Sequence, residues 1–505
     1  MMKILLTTLN SKYVHSNLAL KYLYASAEKS RNSIDIQEFT INSEEDYIFT
    51  ELLRKSYDVI CFSCYIWNVD KTLCLAENLK KARPELKILL GGPEVSFDVI
   101  PFMSRHKFID FIISGEGEAP FSELAETLLA GTREFEKIRG LTYRQDGRIY
   151  VNPPAPPLRF ESVPFPYLSL VCEEDKIMYY ESSRGCPFQC SYCLSSVERK
   201  VRTLPMERVK SDLSYFIYKK VSQVKLIDRT FNWDKKRCEE ILRYLIASDN
   251  GETNFHFELC GDLLDEDLLR LLSTARPGLF QFEIGVQSTN ESTLKACNRK
   301  CDFDKLTRNV KRLMEMGNIH IHLDLIAGLP YEDYSTFRKS FNDVYALRPH
   351  HLQLGFLKLI KGAPIMEQIE EHEYVYRAQA PYEIISNKYL SALSLIRLKK
   401  IENLLELYYN RGGFRRTLDF AIEYLSETPF DFYEELADYF YLKGFQHKSH
   451  KKEDLYRIFL LFAGWKERFI PNVKDQIKEL LTLDMQDALN PEAIKKFERK
   501  GWEIL

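Results

Sequence analysis

The sequence predicts an α/β protein with three parts: a doubly wound, Rossmann-like N-terminal domain, a partial (β/α)6 barrel and an all-helical C-terminal domain. Two observations support the α/β parts. Apolar strand-like segments alternate with helix-like segments over residues 1–130 and again over residues 179–370, which is the pattern of βαβ units. A third observation sets the borders, because a proline-rich stretch lies within residues 131–178 and helical periodicity alone follows over residues 371–505.

The composition excludes several classes of protein. The 505 residues carry a net charge of −3, which argues against a broadly basic nucleic-acid-binding protein. No apolar run approaches the ~20 residues that a transmembrane helix needs, and the apolar start of the chain predicts a strand instead of a signal peptide. Cysteines such as Cys61 and Cys260 lie within strand-like segments, which favours reduced thiols over disulfides. We therefore expect a cytoplasmic protein with no membrane association.

The strand-like segments of residues 1–130 end in small residues. The ends read Ser63-Cys64, Gly91-Gly92-Pro93-Glu94 and Ser114-Gly115-Glu116. Parallel α/β sheets bind ligands at the carboxyl ends of their strands, and glycine lets the backbone approach a ligand closely. The sequence therefore predicts a ligand site at this edge of the sheet.

The segment Cys61-Phe62-Ser63-Cys64 is formally a C-x-x-C sequence, which would suit a redox pair. It lies in an apolar strand, where successive side chains point to opposite faces. Cys61 and Cys64 would then lie on different faces, so we interpret both as core or pocket residues.

The connection between the α/β parts contains a predicted hairpin and several prolines. Residues 141–151 form two short strand-like runs around an Asp146-Gly147 turn, a typical hairpin signal. Prolines follow at 153, 154, 156, 157, 164 and 166, and such stretches are stiff and extended. This is the clearest domain border in the chain.

Three cysteines, Cys186, Cys190 and Cys193, stand at C-x3-C-x2-C spacing in one loop. Thiolates at such spacing suit zinc or an iron–sulfur cluster. A closed structural zinc site needs a fourth Cys or His at short spacing, and the next ten residues contain neither. A [4Fe-4S] cluster held by three cysteines keeps one iron open for a further ligand. We therefore predict such a cluster here, with no catalytic side chain beyond its ligands.

The setting of these cysteines, R-G-C-P-x-x-C-x-Y-C, resembles the radical S-adenosylmethionine (radical SAM) superfamily. In addition, I-L-L-G-G-P-E followed by I-x-G-E-G-E resembles the cobalamin-binding domain found before many radical SAM domains, as in class B-type proteins. The resemblance implies that S-adenosylmethionine (SAM) binds the open iron and that a second site holds cobalamin. The residues it implies for cobalamin are Ser63, Gly91, Gly92, Pro93, Gly115 and Glu116.

Residues at the strand ends of the predicted barrel also match radical SAM motifs. These are the aromatic residue of the cysteine loop, a D-x-x-F segment, an acidic residue after the third strand, an E-x-G-x-Q-S segment and a G-L-P turn. The barrel fold places chemistry at these strand ends. The resemblance implies that SAM is contacted by Tyr192, Asp228, Glu258, Gln287, Ser288, Gly328 and Leu329.

Three further groups have competing interpretations. Cobalamin domains that supply a lower axial ligand carry an Asp-x-His-x-x-Gly loop; the equivalent loop here lacks the Asp and the Gly, and His15 is its candidate ligand or simply a packing residue. His320 and His322 lie on one face of a strand and suit a metal pair or hydrogen-bonded barrel residues. Residues Cys260, Cys297 and Cys301 suggest a second cluster, but their spacing is wide.

The C-terminal part shows no metal-binding or nucleophilic constellation. A basic run between Lys443 and Lys452 is typical of a solvated face, with phosphate contact as the alternative. The resemblance implies a bacterial type of protein in which a cobalamin domain, a radical SAM domain and a helical domain follow one another.

The resemblance implies a cobalamin-dependent radical SAM enzyme that methylates an unactivated carbon of a small molecule, peptide or RNA. It also implies an electron donor such as flavodoxin or ferredoxin, and we expect a monomer. Three alternatives remain: non-methylating chemistry such as cyclisation, rearrangement or oxidation, a tRNA methylthiotransferase-like enzyme, and a cobalamin sensor. Methylthiotransferases carry three further cluster cysteines, and the spacing of Cys61, Cys64 and Cys74 does not match.

Overall fold

The structure is a computed structural model that describes residues 2–170, 173 and 175–502. Cys172 and the last three residues lie outside the described residues. The chain divides into two compact units. The first unit comprises Met1–Gln281, Lys358–Gln368 and Tyr376–Glu383, and the second comprises Phe282–Leu357, Ile369–Val375 and Ile384–Leu505.

The strands follow the predicted alternation in both α/β parts. Their bounds are β1 Ile4–Asn10, β2 Ile34–Thr40, β3 Val59–Ser63, β4 Lys87–Gly91, β5 Phe111–Ile113, β6 Leu141–Gln145, β7 Arg148–Val151, β8 Met178–Tyr180, β9 Ser183–Arg184, β10 Arg202–Thr203, β11 Gln223–Leu226, β12 Asn254–Leu259, β13 Phe280–Gln287, β14 His320–Ala327, β15 His351–Phe356, β16 Val375–Tyr376 and β17 Ile384–Ser386.

The helices fill the intervals between strands and make up most of the C-terminal part. Their bounds are α1 Leu18–Ser26, α2 Glu45–Arg54, α3 Val69–Ala82, α4 Val99–Arg105, α5 Glu118–Leu129, α6 Met206–Tyr218, α7 Lys235–Ala247, α8 Glu266–Leu272, α9 Glu291–Ala296, α10 Phe303–Met316, α11 Tyr334–Tyr345, α12 Ala392–Leu405, α13 Arg415–Leu425, α14 Pro429–Leu442, α15 Lys452–Lys466, α16 Val473–Ala488 and α17 Pro491–Lys500.

The N-terminal sheet has the strand order β2-β1-β3-β4-β5-β6-β7, and its first five strands are parallel. Every residue of β1 is buried, as expected for a central strand covered on both faces. Cys61 packs in the core on one face and Cys64 in the core on the other. This confirms the doubly wound fold and the opposite orientation of the two cysteines.

The hairpin does not belong to the connection in which we predicted it. Strand β6 pairs antiparallel with β5, with Ile112 opposite Thr142, and β7 completes the sheet. The turn residues Asp146 and Gly147 both have positive φ, as a two-residue hairpin turn requires. Strand β5 has only three residues, and the hairpin covers the edge that it would otherwise expose.

All six predicted strands of the partial barrel are present. Within the first unit the order is β12-β11-β8, with Lys225 opposite both Tyr179 and His256. Strand β13 begins in this unit, and within the second unit the order is β15-β14-β13. Buried and half-buried residues alternate along β13 and β14, so every second side chain points away from the surrounding helices.

The C-terminal part is helical only from Ala392 onwards. We predicted helices alone after residue 370, but the short strands β16 and β17 come first. The reason is local, since β-branched residues such as Val375 and Ile384 flank Pro381, which disfavours a helix. None of the helices described in either unit combines the length and the apolar character needed to cross a membrane.

A π-helix, Glu406–Asn410, follows α12 and lies against β15, the edge strand of the barrel sheet. The Leu352 N–H donates to the Asn410 Oδ1 at 3.0 Å, and the Asn410 Nδ2 donates to the Leu352 carbonyl at 3.0 Å. One side-chain amide thus satisfies both backbone groups of an edge-strand residue, as a neighbouring strand would.

Candidate functional site

The cysteine loop begins at a short antiparallel pairing. Arg184 in β9 lies opposite Arg202 in β10, and the Cys186 N–H donates to the Glu198 carbonyl at 3.1 Å. Gly185 has a φ of +94°, and a Cβ on it would lie 2.6 Å from the Lys200 carbonyl oxygen. The glycine of the R-G-C-P segment is therefore required by the way the loop closes on itself.

The three cysteines of the loop are the predicted cluster ligands. Cys186 and Cys190 are buried, Cys193 is half-buried, and all three are free thiols. Burial raises the pKa of Cys186, and its Sγ lies 3.7 Å from the Thr230 Oγ1. Among the described residues, no group of three His, Cys, Asp or Glu side chains could hold a metal ion. A cubane cluster gives each cysteine its own iron, which requires more widely separated thiols than a mononuclear site.

Asp228 holds the start of the cysteine loop through hydrogen bonds. Its carboxylate accepts hydrogen bonds from the Ser182 N–H at 2.7 Å, the Ser182 Oγ at 2.5 Å and the Ser183 Oγ at 2.8 Å. The side chain is 2% exposed, and burial raises its pKa. Asp228 thus supports the loop through the two serines, and its predicted contact with SAM stays a prediction.

All six residues implied for cobalamin line one cavity of about 780 Å³ in the first unit. Cysteine-loop residues Gly185, Leu194 and Ser195 line the same cavity. The cavity therefore opens at the carboxyl ends of the N-terminal strands, where the glycine-rich ends predicted a ligand, and reaches the cysteine loop.

Glycine is needed for different reasons at two positions of this sheet edge. Gly92 has a φ of +106°, and a Cβ on it would lie 2.5 Å from the Cys64 carbonyl oxygen. Gly115 has a φ of +81°, and a Cβ there would meet no protein atom within 4 Å. Gly92 thus lets β3 and β4 end close together, whereas Gly115 leaves open space beside the backbone, which suits the approach of a flat cofactor.

Glu116 contributes to the cavity wall, but its carboxylate is already bound. It accepts from Arg184 Nη1 at 2.9 Å, Arg202 Nη2 at 2.8 Å and the Leu158 N–H at 2.7 Å. Burial alone would raise the pKa of Glu116, but the bonds from Arg202, Leu158 and Arg184 hold it below its usual value. The predicted cofactor contact therefore has an ion-pairing role as well.

His15 lies in the cavity wall, where its ring Nδ1 is hydrogen-bonded to the Tyr179 hydroxyl at 2.6 Å. Burial, followed by the charges of Lys12 and Lys225, lowers the pKa of His15. A neutral ring is the form that ligates metals, and Tyr179 fixes its orientation. In both the packing and the axial-ligand interpretation, Nδ1 binds Tyr179. Only the axial-ligand interpretation also requires Nε2 to bind the metal.

The other two SAM residues of the first unit lie on different elements. Tyr192 is half-buried within the cysteine loop. Glu258 lies on β12, with its Oε1 3.4 Å from the Lys225 Nζ. Their role in SAM binding stays a prediction.

In the second unit, Ser288 is fully buried and faces Glu332 instead of a cavity. Its Oγ donates to the Glu332 Oε1 at 2.6 Å, and the Ser340 Oγ donates to the same oxygen at 2.7 Å. Glu332 is 0% exposed, and burial raises its pKa to about 7. The Ser288 hydroxyl thus supports this strand end, and its predicted contact with SAM stays a prediction.

Gln287, the neighbouring predicted SAM residue, differs from Ser288. It has a φ of +73°, and its side chain folds back over Gly285, where a Cβ would lie 2.2 Å from its Nε2. Its Oε1 is buried without a hydrogen-bond partner among the described residues. An orphaned buried oxygen is costly, so a polar ligand such as SAM suits this position.

The G-L-P turn is covered within the second unit. Gly328 has a φ of +96°, and a Cβ on it would lie 2.0 Å from the Ile384 Cδ1. The Asn387 Nδ2 donates to the Gly328 carbonyl at 2.9 Å, and Leu329 is fully buried. Gly328 and Leu329 are thus both packed against protein, and their role in SAM binding stays a prediction.

His322, one of the two histidines considered as a metal pair, has protein partners. The His322 Nε2 lies 3.0 Å from the Asp324 Oδ1, and its ring contacts that of His351 with centroids 4.2 Å apart. A second cluster at Cys260, Cys297 and Cys301 stays a prediction of the sequence. Inward-facing barrel residues are the better interpretation of His322.

Sequence reasoning missed three contacts of this region. Arg184 binds three carboxylates, Glu332 holds Ser288, and Glu94 of the G-G-P-E turn accepts from Lys361. The sequence signal that could have indicated these contacts is the presence of charged residues inside segments of small or apolar residues.

Three families match successive parts of the chain. The B12 binding domain family matches residues 4–125, the radical SAM superfamily matches residues 180–344, and the family described as protein of unknown function (DUF4080) matches residues 370–502.

Among curated proteins, the chain is similar to the cobalamin-dependent radical SAM methyltransferase TokK of Streptomyces tokunonensis, at 27% identity over 336 residues. The match covers 62% of this chain and 49% of TokK. The chain thus spans about half the length of this relative.

Two solved structures share the fold. TsrM from Kitasatospora setae, a radical SAM methyltransferase with cobalamin and a [4Fe-4S] cluster bound, matches with a TM-score of 0.60 at 16% identity, over 75% of this chain and 76% of TsrM. The cobalamin-dependent radical SAM enzyme OxsB matches with a TM-score of 0.59 at 15% identity, over 99% of this chain and 80% of OxsB. Residues 4–125, 180–344 and 370–502 of the chain thus match, in this order, a B12 binding domain, a radical SAM domain and a DUF4080 domain.

Proposed function

We propose that this protein is a cobalamin-dependent radical SAM enzyme that transfers a methyl group to an unactivated carbon. One observation carries the proposal: the six residues implied for cobalamin and the cysteine loop line the same cavity within the first unit. A radical formed at the loop and a methyl group held at the glycine turns would then meet in one space. The similarity to TokK, which is named a methyltransferase, favours methyl transfer over other cobalamin chemistry.

Bound together, the cluster, SAM and cobalamin supply the radical that removes a hydrogen atom and the methyl group that replaces it. The protein's own residues hold and orient. Cys186, Cys190 and Cys193 would bind the cluster, and Gly115 leaves room for the corrin face. Asp228 fixes the loop that carries these cysteines.

We extend the proposal to the compartment and the electron source. A low-potential cluster needs a reducing environment, which suits the cytoplasm and a donor such as flavodoxin or ferredoxin. The substrate class is open between a small molecule, a peptide and RNA.

Anaerobic reconstitution followed by gel filtration tests the proposal. We expect iron–sulfur absorption, retained cobalamin and, with a reductant and SAM, formation of 5′-deoxyadenosine. We also expect label from methyl-labelled SAM to appear on bound cobalamin. A Cys186→Ala/Cys190→Ala/Cys193→Ala variant that still forms 5′-deoxyadenosine would overturn the assignment. Retained cobalamin that never takes the methyl label would replace methyl transfer by non-methylating chemistry.

A further inference from the structure

Arg184 lies two residues before the first cluster cysteine and binds three carboxylates. Its Nε donates to the Glu181 Oε2 at 2.9 Å, its Nη1 to the Glu116 Oε1 at 2.9 Å and its Nη2 to the Glu118 Oε1 at 2.6 Å. The side chain is 11% exposed. The planar guanidinium can meet three carboxylates at once, which a lysine ammonium on a flexible stem does less rigidly.

Aromatic rings complete the enclosure of this guanidinium. Its Cζ lies 5.3 Å from the centroid of the Tyr22 ring and 4.7 Å from that of Phe160. Tyr22 belongs to α1, and Phe160 belongs to the proline-rich connection. Apart from Glu181, every partner of Arg184 therefore comes from the B12 binding domain or the connection that follows it.

The guanidinium groups of Arg184 and Arg202 form one network of ion pairs with four carboxylates. Arg202 adds a second cation, with its Nη2 2.8 Å from Glu116 and 2.5 Å from Glu198. Removing one partner of a buried ion pair leaves an uncompensated charge, which is strongly destabilising. A rearrangement of the Gly115–Glu118 turn would therefore pull on the loop that carries Cys186.

A second turn of the cavity edge is fastened in a similar way. Glu94, in the G-G-P-E turn, is 3% exposed and accepts from the Lys361 Nζ at 2.5 Å and from the Tyr382 hydroxyl. Gly362, next to Lys361, packs closely against Phe97, since a Cβ on Gly362 would lie 2.1 Å from the Phe97 ring. In both turns the glycines face the cavity, and an acidic residue binds a cation from a later part of the chain.

From these contacts we propose that Arg184 is a positioning residue that couples cobalamin binding to the geometry of the cluster loop. This inference rests on the proposed function, because it requires that both cofactors bind. When cobalamin orders the Gly115–Glu118 turn, Glu116 and Glu118 fix Arg184 and, two residues later, Cys186. Coupling between sites is reciprocal, so cluster loading must in turn strengthen cobalamin binding.

The affinity for hydroxocobalamin, measured by absorbance titration with and without the reconstituted cluster, tests this coupling. In the wild type we expect the cluster to tighten cobalamin binding by about tenfold, within the usual range of coupled sites. In Arg184→Gln we expect the two affinities to be equal, and in Arg184→Lys an intermediate ratio. Glu126→Gln, which removes an exposed ion pair with Lys29 elsewhere on α5, is the matched control and should keep the wild-type ratio.

The electron paramagnetic resonance spectrum of the reduced cluster gives a second readout. It should change on cobalamin addition in the wild type and in Glu126→Gln, but not in Arg184→Gln. If Arg184→Gln does not fold, Glu118→Gln removes one of the three carboxylates and should reduce the affinity ratio. An unchanged ratio in the variant, or a ratio of one in the wild type, would overturn the coupling. A wild type that binds neither cofactor would instead overturn the proposed function.

Discussion

Two buried carboxylates, Asp228 in the first unit and Glu332 in the second, hold radical SAM loops by the same device. Each accepts hydrogen bonds from two serine hydroxyls: Ser182 and Ser183 bind Asp228, and Ser288 and Ser340 bind Glu332. In both cases a polar residue that the family pattern assigns to SAM serves to fix the backbone near the strand end.

The two carboxylates differ in how completely they are satisfied. Both oxygens of Asp228 accept hydrogen bonds, one of them from a backbone N–H. Both hydroxyls at Glu332 bind Oε1, and its Oε2 is buried without a hydrogen-bond partner among the described residues. Burial raises the pKa of each, to about 7 for Glu332. Similar residue types thus give two different results. Asp228 has hydrogen bonds to both oxygens, whereas Glu332 has one unbonded oxygen and gains a proton near pH 7.

Replacing Asp228 should have the largest effect. Asp228→Ala leaves two hydroxyls and one N–H without an acceptor, and we expect it to lower the free energy of unfolding by about 4 kcal/mol. Because the serines precede the cysteine loop, iron retained after reconstitution should fall several-fold. Thermal unfolding and iron analysis measure both effects. Asp267→Ala, at an exposed ion pair of the same unit, is the control; equal iron content in the two variants would contradict the anchoring role.

Glu332→Gln should change the pH dependence of stability. The pKa of Glu332 rises from 4.5 to about 7 on folding, so its contribution is fully present below about pH 4.5 and is lost as the pH rises through about 7. The wild type should therefore lose about 3 kcal/mol across this window relative to Glu332→Gln. Denaturant unfolding of both proteins at several pH values measures the difference. A difference that stays constant with pH would show that Glu332 does not titrate there.

Substitutions of the adjacent residues Gln287 and Ser288 should change the affinity for SAM to different extents. This is the smallest effect that we expect among these substitutions. Gln287→Ala removes the buried oxygen that lacks a partner, and we expect SAM to bind about tenfold more weakly, or ~1.4 kcal/mol. Ser288→Ala should change the SAM dissociation constant by less than about twofold, because its hydroxyl bonds to Glu332. Calorimetric titration of the cluster-loaded protein compares them. The reverse ranking would favour Ser288 over Gln287 as the SAM contact.

Much of the fold could be predicted because its signals are local. Alternation of strand and helix patterns, glycines at strand ends and the cysteine spacing all lie within short windows, and they predicted the doubly wound sheet and the six barrel strands. The place of the hairpin could not be predicted, since pairing of β6 with β5 depends on tertiary contacts.

The candidate site was predictable as a set of positions but not as a set of contacts. The glycine-rich ends and the cysteine loop, each predicted as a ligand site, meet at one cavity. The partners of polar side chains are far away in sequence: Ser182 is 46 residues from Asp228, and Ser288 is 44 residues from Glu332. A motif shows which polar residue follows a strand but not the direction in which its side chain points.

The amide of Asn410 has a consequence for the synthesis of this protein. Asn410 is made 58 residues after Leu352, the edge-strand residue that it covers. While the chain emerges from the ribosome, the last barrel strand therefore has an unpaired edge until the π-helix has formed, and such edges recruit other strands. A nascent or truncated chain that ends near residue 370 should therefore aggregate. In the full chain, the DUF4080 domain covers the edge of β15, but it is synthesised after that strand.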